Sequence, residues 1–387
     1  MPRLAPSLVQ RARRISPLAA VLLPACRDLP SALNELRWIR EQVSSRRTET
    51  DAASAAEQRL WRLCRRRGRG EPLQYVLGTQ PFGDLEIKCR KGVLIPRFAL
   101  PPTDHPLGAA RLMRRRPEPE AYTLHLAYLL RERLLPVAAD SGGPPTLRVL
   151  DLCTGTGCIA LLLYSLLRPL FPSLHVAGLD VSPDAVRLAR ENAAHNRLGS
   201  VPGGTASQTV GFLRGDMFDD DWLPAFLPAA RDGPGTPAAR GRMVDVLTCN
   251  PPYISLRGFA RDTARSVRNY EPRLAQVPLP RAGYDGRCAS EDVFYARLLD
   301  LGQKLGPRVL LCEVGGLEQA RRVVDMALRH PFSRRAAVVE IWADSPDVKR
   351  EAGETASVVV GGREIPIRGS GHGRSVFIAC GDEGTST

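Results

Sequence analysis

The sequence predicts an α/β fold built on a seven-stranded sheet, with a small helical region before it. Two observations carry this prediction: from residue 147 onwards, buried strand-like runs alternate with helical patterns, and a glycine-rich turn follows the first run. Alternation of this kind is typical of helices packed on both faces of a parallel sheet. The predicted strands are 147–152, 175–180, 209–215, 243–249, 308–314, 336–342 and 374–380.

The composition of the 387-residue chain is that of a globular protein with a sizeable core. Apolar residues make up 43% and charged residues 25%, which argues against wholesale disorder. No run of 18 uncharged apolar residues occurs, so we expect no membrane-spanning helix. The nine cysteines form no CxxC pair or Cys/His cluster, which predicts reduced thiols and no metal site. We also expect a monomer.

Positive charge is concentrated at the N-terminus. The whole chain has a net charge of +13, and residues 1–70 contain 15 arginines against six acidic residues. Such a field can attract an acidic partner, a nucleic acid or a targeting receptor, or it can be a solvated basic face.

The first 27 residues have the composition of a mitochondrial presequence. They contain five arginines and two serines, Ser7 and Ser16, and no acidic residue occurs before Asp28. We therefore expect a mitochondrial protein. The alternative is a cytoplasmic protein in which this segment is a basic tail.

Two helices and a hairpin are predicted between this terminus and the sheet. The first helix begins at the N-cap candidate Ser31, and the second covers 52–64. Alternating runs near 82–88 and 93–95 predict a β-hairpin. The predicted organisation is a targeting segment at 1–27, a helical domain at 28–70, a hairpin linker with an irregular insertion (98–120) at 71–120, and the sheet domain at 121–387.

A glycine-rich turn follows the first predicted strand and opens a helix. Glycine lets the backbone approach a ligand closely, and a helix N-terminus presents free N–H groups to an anion. Gly155, Gly157 and Ala160 also satisfy a relaxed dinucleotide-binding fingerprint. The candidate cofactor-binding residues of this turn are Asp151, Cys153, Thr154, Gly155, Thr156 and Gly157.

Acidic residues end the next two predicted strands. Asp180 can accept hydrogen bonds from both hydroxyls of a ribose, which fits NAD and S-adenosylmethionine alike, or it can cap the helix that follows. Asp216 can accept the amino group of an adenine, with Met217 packed on the ring, or it can belong to an ordinary turn.

The fourth predicted strand ends in the most specific short motif of the chain, Asn250-Pro251-Pro252-Tyr253. Two prolines fix the backbone and leave carbonyl groups without competing N–H groups. The Asn250 side chain and the Pro251 carbonyl can accept both hydrogens of one planar NH₂ group, and Tyr253 can stack on its plane. Methylation of an amide or exocyclic amine suits this arrangement, because positioning supplies much of the catalysis.

These motifs resemble the HemK/PrmC family of release factor glutamine N5-methyltransferases, within the class I S-adenosylmethionine-dependent methyltransferases. Further blocks carry the resemblance and extend it over about residues 30–380. They are Arg69 to Gly78, Val93 to Arg97, Glu271 to Ala275, and Gly283 to Gly286.

The resemblance implies a seven-stranded Rossmann-like sheet, a small N-terminal helical domain that contacts the release factor, and a β-hairpin linker. S-adenosylmethionine would be bound by the 153–157 loop with Asp180, Asp216, Met217 and Asn250. The glutamine of a Gly-Gly-Gln loop would be bound by Asn250, Pro251, Pro252 and Tyr253, with Pro96 and Arg97, and Asn250, Pro251 and Tyr253 would carry the catalysis. No stable binding of nucleic acid or membrane is expected.

The chain departs from the family pattern in two blocks. Pro96-Arg97 is not followed by the usual P-x-T-E, and Glu318 stands where E-[IV]-G-x-x-Q has glutamine, with Gln319 next. The segments 98–120, 199–208 and 229–240 resemble insertions. Alternative functions are methylation of a ribosomal-protein glutamine, N6-adenine methylation of a nucleic acid, and a non-catalytic translation or assembly factor.

Overall fold

The computed structural model describes residues 4–45, 53–96, 118–139, 146–198, 207–226, 243–284 and 286–381. The chain divides into two compact units. The first comprises Met1–Gln80, Lys88–Ile95 and Arg261–Pro272, and the second comprises Pro81–Ile87, Pro96–Ala260 and Arg273–Thr387. Among the helices in these ranges, none is long and apolar enough to cross a membrane.

Helices make up most of the first unit. Asp28 caps the third of them in place of the predicted Ser31, because its Oδ1 accepts the Ser31 N–H at 2.7 Å. The helices are α1 (Pro6–Ile15), α2 (Pro17–Cys26), α3 (Leu29–Ser45), α4 (Ala53–Gly68) and α5 (Leu73–Leu77), with a later short helix at Arg265–Tyr270.

The predicted targeting segment 1–27 contains α1 and α2, and α2 lies in the core of the first unit. Leu22 and Leu23 of α2 are fully buried. A Cβ at Gly68 would lie 2.2 Å from the carbonyl oxygen of Val21, so the end of α4 packs directly against the α2 backbone. Burying a leucine side chain stabilises a fold by about 1.5–3 kcal/mol. The α2 helix is therefore a structural part of this unit.

The basic run at the end of α4 contains arginines in different environments. Arg67 donates from Nε and Nη2 to the buried carboxylate of Glu35 on α3, at 2.6 and 2.9 Å. Arg66 donates from Nε to Glu71 at 2.8 Å. Arg65 is exposed. Arg67 joins α3 to α4, because a bidentate charged pair is strong and directional. The guanidinium of Arg65 lies over the Trp61 ring, 5.6 Å from its centroid.

The hairpin consists of β1 (Thr79–Phe82) and β2 (Leu85–Lys88), which pair as a two-stranded sheet. The run 93–95, which also alternates, forms no strand. Its Val93 and Ile95 are buried, and Tyr75 donates its hydroxyl hydrogen to the Val93 carbonyl at 2.6 Å. The prediction of a strand at 93–95 was wrong. The alternation of apolar residues there reflects burial of the Val93 and Ile95 side chains, and no strand pairing accompanies it.

The second unit is built on a sheet whose predicted strands are all present. Its first five strands are β3 (Thr146–Leu152), β4 (Ser173–Asp180), β5 (Gln208–Arg214), β6 (Val246–Cys249) and β7 (Val309–Glu313). Four more follow, namely β8 (Ala336–Ser345), β9 (Ser357–Val360), β10 (Arg363–Arg368) and β11 (Ser370–Cys380). The spatial order is β5-β4-β3-β6-β7-β11-β8-β10-β9.

The α/β fold class is confirmed, and the sheet is two strands larger than the predicted seven. The first five strands pair in parallel, and β11 runs antiparallel to both β7 and β8. The additional strands β9 and β10 extend the edge beyond β8. They are short and partly exposed at Val359, Arg363 and Glu364, so their apolar pattern is too weak to predict a strand.

Helices cover both faces of this sheet. One core cluster contains residues of α6 (Glu118–Ala139), α7 (Cys158–Leu167) and α8 (Pro183–His195), and another contains residues of α9 (Val293–Leu305) and α10 (Leu317–Arg329). The chain moves outward from β3 to β4 and β5 and then returns to β6 on the other side of β3. Ligands bind in such sheets at this reversal, outside the carboxyl ends of the strands.

Candidate active site

The turn after β3 leaves open space beside its backbone. Cys153, Gly155 and Gly157 all have positive φ, at 56°, 55° and 80°. A Cβ added at Gly155 would meet no atom within 4 Å, whereas one at Gly157 would lie 2.9 Å from the Phe212 ring. Gly155 therefore borders an open cradle, and a glycine is required at 157 by packing.

Asp151 supports this turn from below. Its side chain is fully buried, and its two oxygens accept hydrogen bonds from the hydroxyls of Thr154 at 2.6 Å and Thr248 at 2.8 Å. Burial raises the pKa of Asp151 to about 6, against the lowering effect of these two hydroxyls. Asp151 thus ties the turn to β6 from within the protein, and Thr154 and Thr156 are buried beside it.

Asp180, at the end of β4, lies against the same turn. Its Oδ2 accepts the Gly155 N–H at 2.9 Å, and its Oδ1 accepts the Ser182 N–H at 2.8 Å. Burial raises the pKa of Asp180, while these two backbone N–H groups lower it. The N-cap of α8 is Ser182, whose hydroxyl accepts the Ala185 N–H, so Asp180 holds the glycine turn and leaves the capping to Ser182.

Met217 and Asp216, in the segment after β5, lie in different surroundings: Met217 lies beside the glycine turn, and Asp216 pairs with Arg281. Met217 is buried, and its sulfur lies 3.8 Å from the sulfur of Cys153 in the glycine turn. Asp216 is held by Arg281, whose Nη2 lies 2.8 Å from Oδ2, and its Oδ1 accepts the Phe218 N–H at 3.0 Å. Asp216 can therefore receive an adenine amino group only through its remaining lone pairs.

Asn250 and Tyr253 converge on one buried carboxylate, that of Glu313 at the end of β7. Asn250 donates from Nδ2 to Oε2 at 2.8 Å, and Tyr253 donates its hydroxyl hydrogen to Oε1 at 2.9 Å. Tyr122 of α6 donates to Oε2 at 3.0 Å. Glu313 is 1% exposed, so these three hydrogen bonds satisfy carboxyl oxygens that have no access to water.

Gln319 lies one residue beyond the position where the family pattern has glutamine, and it is buried in a network of hydrogen bonds. Its Oε1 accepts the Gly315 N–H at 2.7 Å, and its Nε2 donates to Asp292 at 2.8 Å and to the Tyr253 carbonyl at 3.3 Å. Glu318 is exposed. Gln319, one residue after the position of the family's glutamine, therefore joins the 250–253 loop to Gly315 and Asp292.

The remaining predicted positions are only partly described. Pro251, Pro252 and Pro96 are buried. Arg97 lies outside the described residues, as do most of the expected insertions, at 98–117, 199–206 and 229–240.

Comparison with known proteins identifies the family of the chain. A family model described as a methyltransferase domain matches residues 145–202. A Saccharomyces cerevisiae protein named mitochondrial MRF1 N(5)-glutamine methyltransferase MTQ1 is 33% identical over 278 residues, which are 72% of this chain and 68% of that protein. The chain belongs to the N(5)-glutamine methyltransferase family.

Two further relatives extend this family comparison. A Schizosaccharomyces pombe protein named probable MRF1 mitochondrial N(5)-glutamine methyltransferase mtq1 is 30% identical, over 80% of this chain and 84% of that protein. A Thermodesulfovibrio yellowstonii protein named release factor glutamine methyltransferase is 29% identical, over 74% of this chain and 77% of that protein. The predicted family is thereby confirmed, and the chain is an S-adenosylmethionine-dependent methyltransferase.

The residues at the strand ends of this methyltransferase fit S-adenosylmethionine. The cradle at Gly155 accommodates a ligand against the backbone, and Asp180 presents a carboxylate beside it. Met217 adds an apolar sulfur next to the same turn. In the described ranges, no group of three or more His, Cys, Asp or Glu residues is placed to hold a metal ion.

Glu313, Tyr122 and Arg281 were not among the predicted site residues of the methyltransferase. A sequence signal exists for Glu313, since an acidic residue ends an otherwise apolar buried strand, Val309–Cys312. Tyr122 has no such signal, because it is 191 residues from Glu313 along the chain and meets it only through the packing of α6.

Proposed function

We propose that this methyltransferase transfers a methyl group from S-adenosylmethionine to the side-chain nitrogen of the glutamine in the Gly-Gly-Gln loop of a peptide chain release factor. The observation that carries the proposal is the hydrogen bond from Asn250 Nδ2 to Glu313. Because the nitrogen of the Asn250 amide is engaged by Glu313, its oxygen is directed away from Glu313. The names of the relatives support the same substrate.

The proposed chemistry requires little acid or base catalysis from the protein. When bound, S-adenosylmethionine supplies an electrophilic methyl group, whose bond to sulfur breaks with both electrons remaining on sulfur. Asn250 Oδ1 and the Pro251 carbonyl accept the two N–H hydrogens of the glutamine amide and raise the electron density on its nitrogen. The nitrogen lone pair forms the new bond to carbon, and one N–H proton then leaves to water. Orientation by these acceptors supplies most of the rate enhancement.

The direct test is methyl transfer followed by mass spectrometry. Purified protein, S-adenosylmethionine and a release factor are incubated, with the same factor carrying a Gln→Ala change in its Gly-Gly-Gln loop as control. We expect a mass gain of one methyl group on the glutamine and none on the control. Absence of the gain, with S-adenosylmethionine still bound, would contradict the proposed substrate.

Asn250→Ala tests the assigned role of the amide. Loss of one preorganised acceptor is expected to lower kcat by about 100-fold or more, with a smaller effect on the Kd for S-adenosylmethionine. Tyr253→Phe keeps the ring and loses the bond of the hydroxyl to Glu313, so it should lower kcat less. Steady-state kinetics and calorimetry measure the two effects. Near-normal turnover of Asn250→Ala would show that the amide does not hold the substrate.

We further propose that the methyltransferase acts in mitochondria as a monomer and without a stable nucleic-acid partner. The basic, acid-free segment before Asp28 and the mitochondrial names of both fungal relatives support the location. Fractionation of cells that carry a C-terminally tagged chain tests the location, and light scattering tests the expected mass of 42.3 kDa. A purely cytosolic signal would contradict the mitochondrial location, and the mass of a dimer would contradict the monomeric state.

A further inference from the structure

We propose that Glu313 is a positioning residue, which holds the Asn250 side chain so that only its oxygen can face the substrate amide. The inference rests on the proposed function, because it concerns how the same site receives glutamine. Glu313 touches neither substrate nor methyl donor in this role and acts through Asn250.

Strand register brings the two side chains together. Cys249, the last residue of β6, is paired with Cys312 of β7, so Asn250 directly after β6 lies beside Glu313 at the end of β7. Asn250 Nδ2 lies 2.8 Å from Glu313 Oε2. The opposite orientation of the amide would place two acceptor oxygens at that distance, which is repulsive. A carboxylate at this position therefore selects a single amide orientation.

The carboxylate is itself held firmly. Tyr253 and Tyr122 donate to it from a loop and from α6, and the Tyr295 hydroxyl donates to the Glu313 backbone carbonyl at 2.8 Å. Burial raises the pKa of Tyr122 well above its usual range, so Tyr122 remains a neutral donor. Because both side-chain oxygens of Glu313 accept hydrogen bonds from tyrosine hydroxyls, the carboxylate has little freedom to turn away from Asn250.

The negative charge of Glu313 also strengthens Asn250 as an acceptor. A hydrogen bond from an amide N–H to a carboxylate is charge-assisted, and it polarises the amide so that its oxygen becomes more electron-rich. The Asn250 oxygen then accepts a substrate N–H more strongly. Glu313 thus contributes both the direction and the strength of the bond that activates the glutamine nitrogen.

Glu313→Gln tests the charge with almost no change of shape. We expect kcat for methylation of the release factor to fall by about tenfold or more, since a charge-assisted bond is lost. The Kd for S-adenosylmethionine and the Tm should stay near wild-type values. The matched control is Glu340→Gln, which changes another buried glutamate, on β8, whose partners are Trp342 and Arg368. This control should keep wild-type kcat.

A double-mutant cycle separates positioning from a general structural role. In an Asn250→Ala background, Glu313→Gln should change kcat by less than about twofold, because its effect passes through Asn250. A full additional loss in that background, or wild-type kcat in the single variant, would overturn the inference while leaving the proposed function intact.

A measurement by NMR without substrate tests the inference independently of the proposed function. If the wild type does not methylate the release factor, the proposed function alone is refuted, and the NMR measurement still tests the role of Glu313. The side-chain ¹⁵N–¹H signals of Asn250 are assigned by their loss in Asn250→Ala. They should shift in Glu313→Gln and stay in place in Glu340→Gln. Unshifted signals in Glu313→Gln would overturn the hydrogen bond and the inference with it.

Discussion

Gly155 and Gly157 both require positive φ, yet they have different neighbours, so the same substitution at each should have different consequences. Alanine costs about 1–2 kcal/mol of backbone strain at either position. At Gly155 its methyl group enters the open cradle, so we expect the Kd for S-adenosylmethionine to rise by about tenfold with a modest loss of Tm. At Gly157 the methyl meets Phe212, which adds about 1–3 kcal/mol of overpacking to the loss of folding free energy.

Calorimetric binding and thermal unfolding of the two variants, made in parallel, test this difference. Each variant serves as the control for the other. Equal losses of Tm, or an unchanged Kd in Gly155→Ala, would contradict the assignment of the cradle to the cofactor.

Asp151 should make stability depend on pH in an identifiable window. Its pKa is raised from 3.8 to about 6 by burial, so the folded state binds the proton more tightly than the unfolded state. This contribution is present below pH 3.8 and is lost as pH rises through about 6. The unfolding free energy of wild type relative to Asp151→Asn should therefore fall across this window, by at most about 1.4 kcal/mol per pH unit. Denaturation at several pH values measures it, and a flat difference would refute the titration.

At the scale of elements, α2 tests whether the N-terminal segment is only a targeting signal. Leu22→Ala removes a fully buried side chain and should lower the free energy of unfolding by about 2–5 kcal/mol. Ile15→Ala, at a position 58% exposed in the same segment, is the matched control and should change it by less than about 0.5 kcal/mol. Urea denaturation measures both, and equal stability of the two variants would mean that α2 is dispensable for the fold.

Element prediction succeeded where periodicity and burial agree. The runs of β3, β6 and β7 are mostly buried and mostly apolar, which is the pattern that a strand in the centre of a sheet requires. It failed for β9 and β10, which are half-exposed, and for 93–95, where alternation reflects burial in the first unit. The local hydrophobic pattern indicates which side chains are buried. It does not determine which segments pair with one another as strands.

For the whole molecule, charge asymmetry predicts how the protein substrate is captured. With 15 arginines among its first 70 residues, the chain should attract an acidic partner by a field that salt screens. We expect KM for the release factor to rise by about threefold or more between about 50 and about 300 mM NaCl, with kcat unchanged. A short Gly-Gly-Gln peptide is the control, and its KM should depend on salt less. Equal salt dependence would show that the N-terminal charge does not recruit the factor.

The amino-acid sequence was sufficient for the fold class, the glycine turn and the 250–253 motif, because each is encoded by residues close together in the chain. Tertiary structure alone decided that Asp151 braces the turn from inside, that Arg281 holds Asp216, and that α2 belongs to a core. It also decided that Asn250, Tyr253 and Tyr122 share the carboxylate of Glu313. Most of these contacts join residues many positions apart, such as Asp151 and Thr248 or Tyr122 and Glu313. Their energies depend on burial and register, which exist only once the strands and helices have packed.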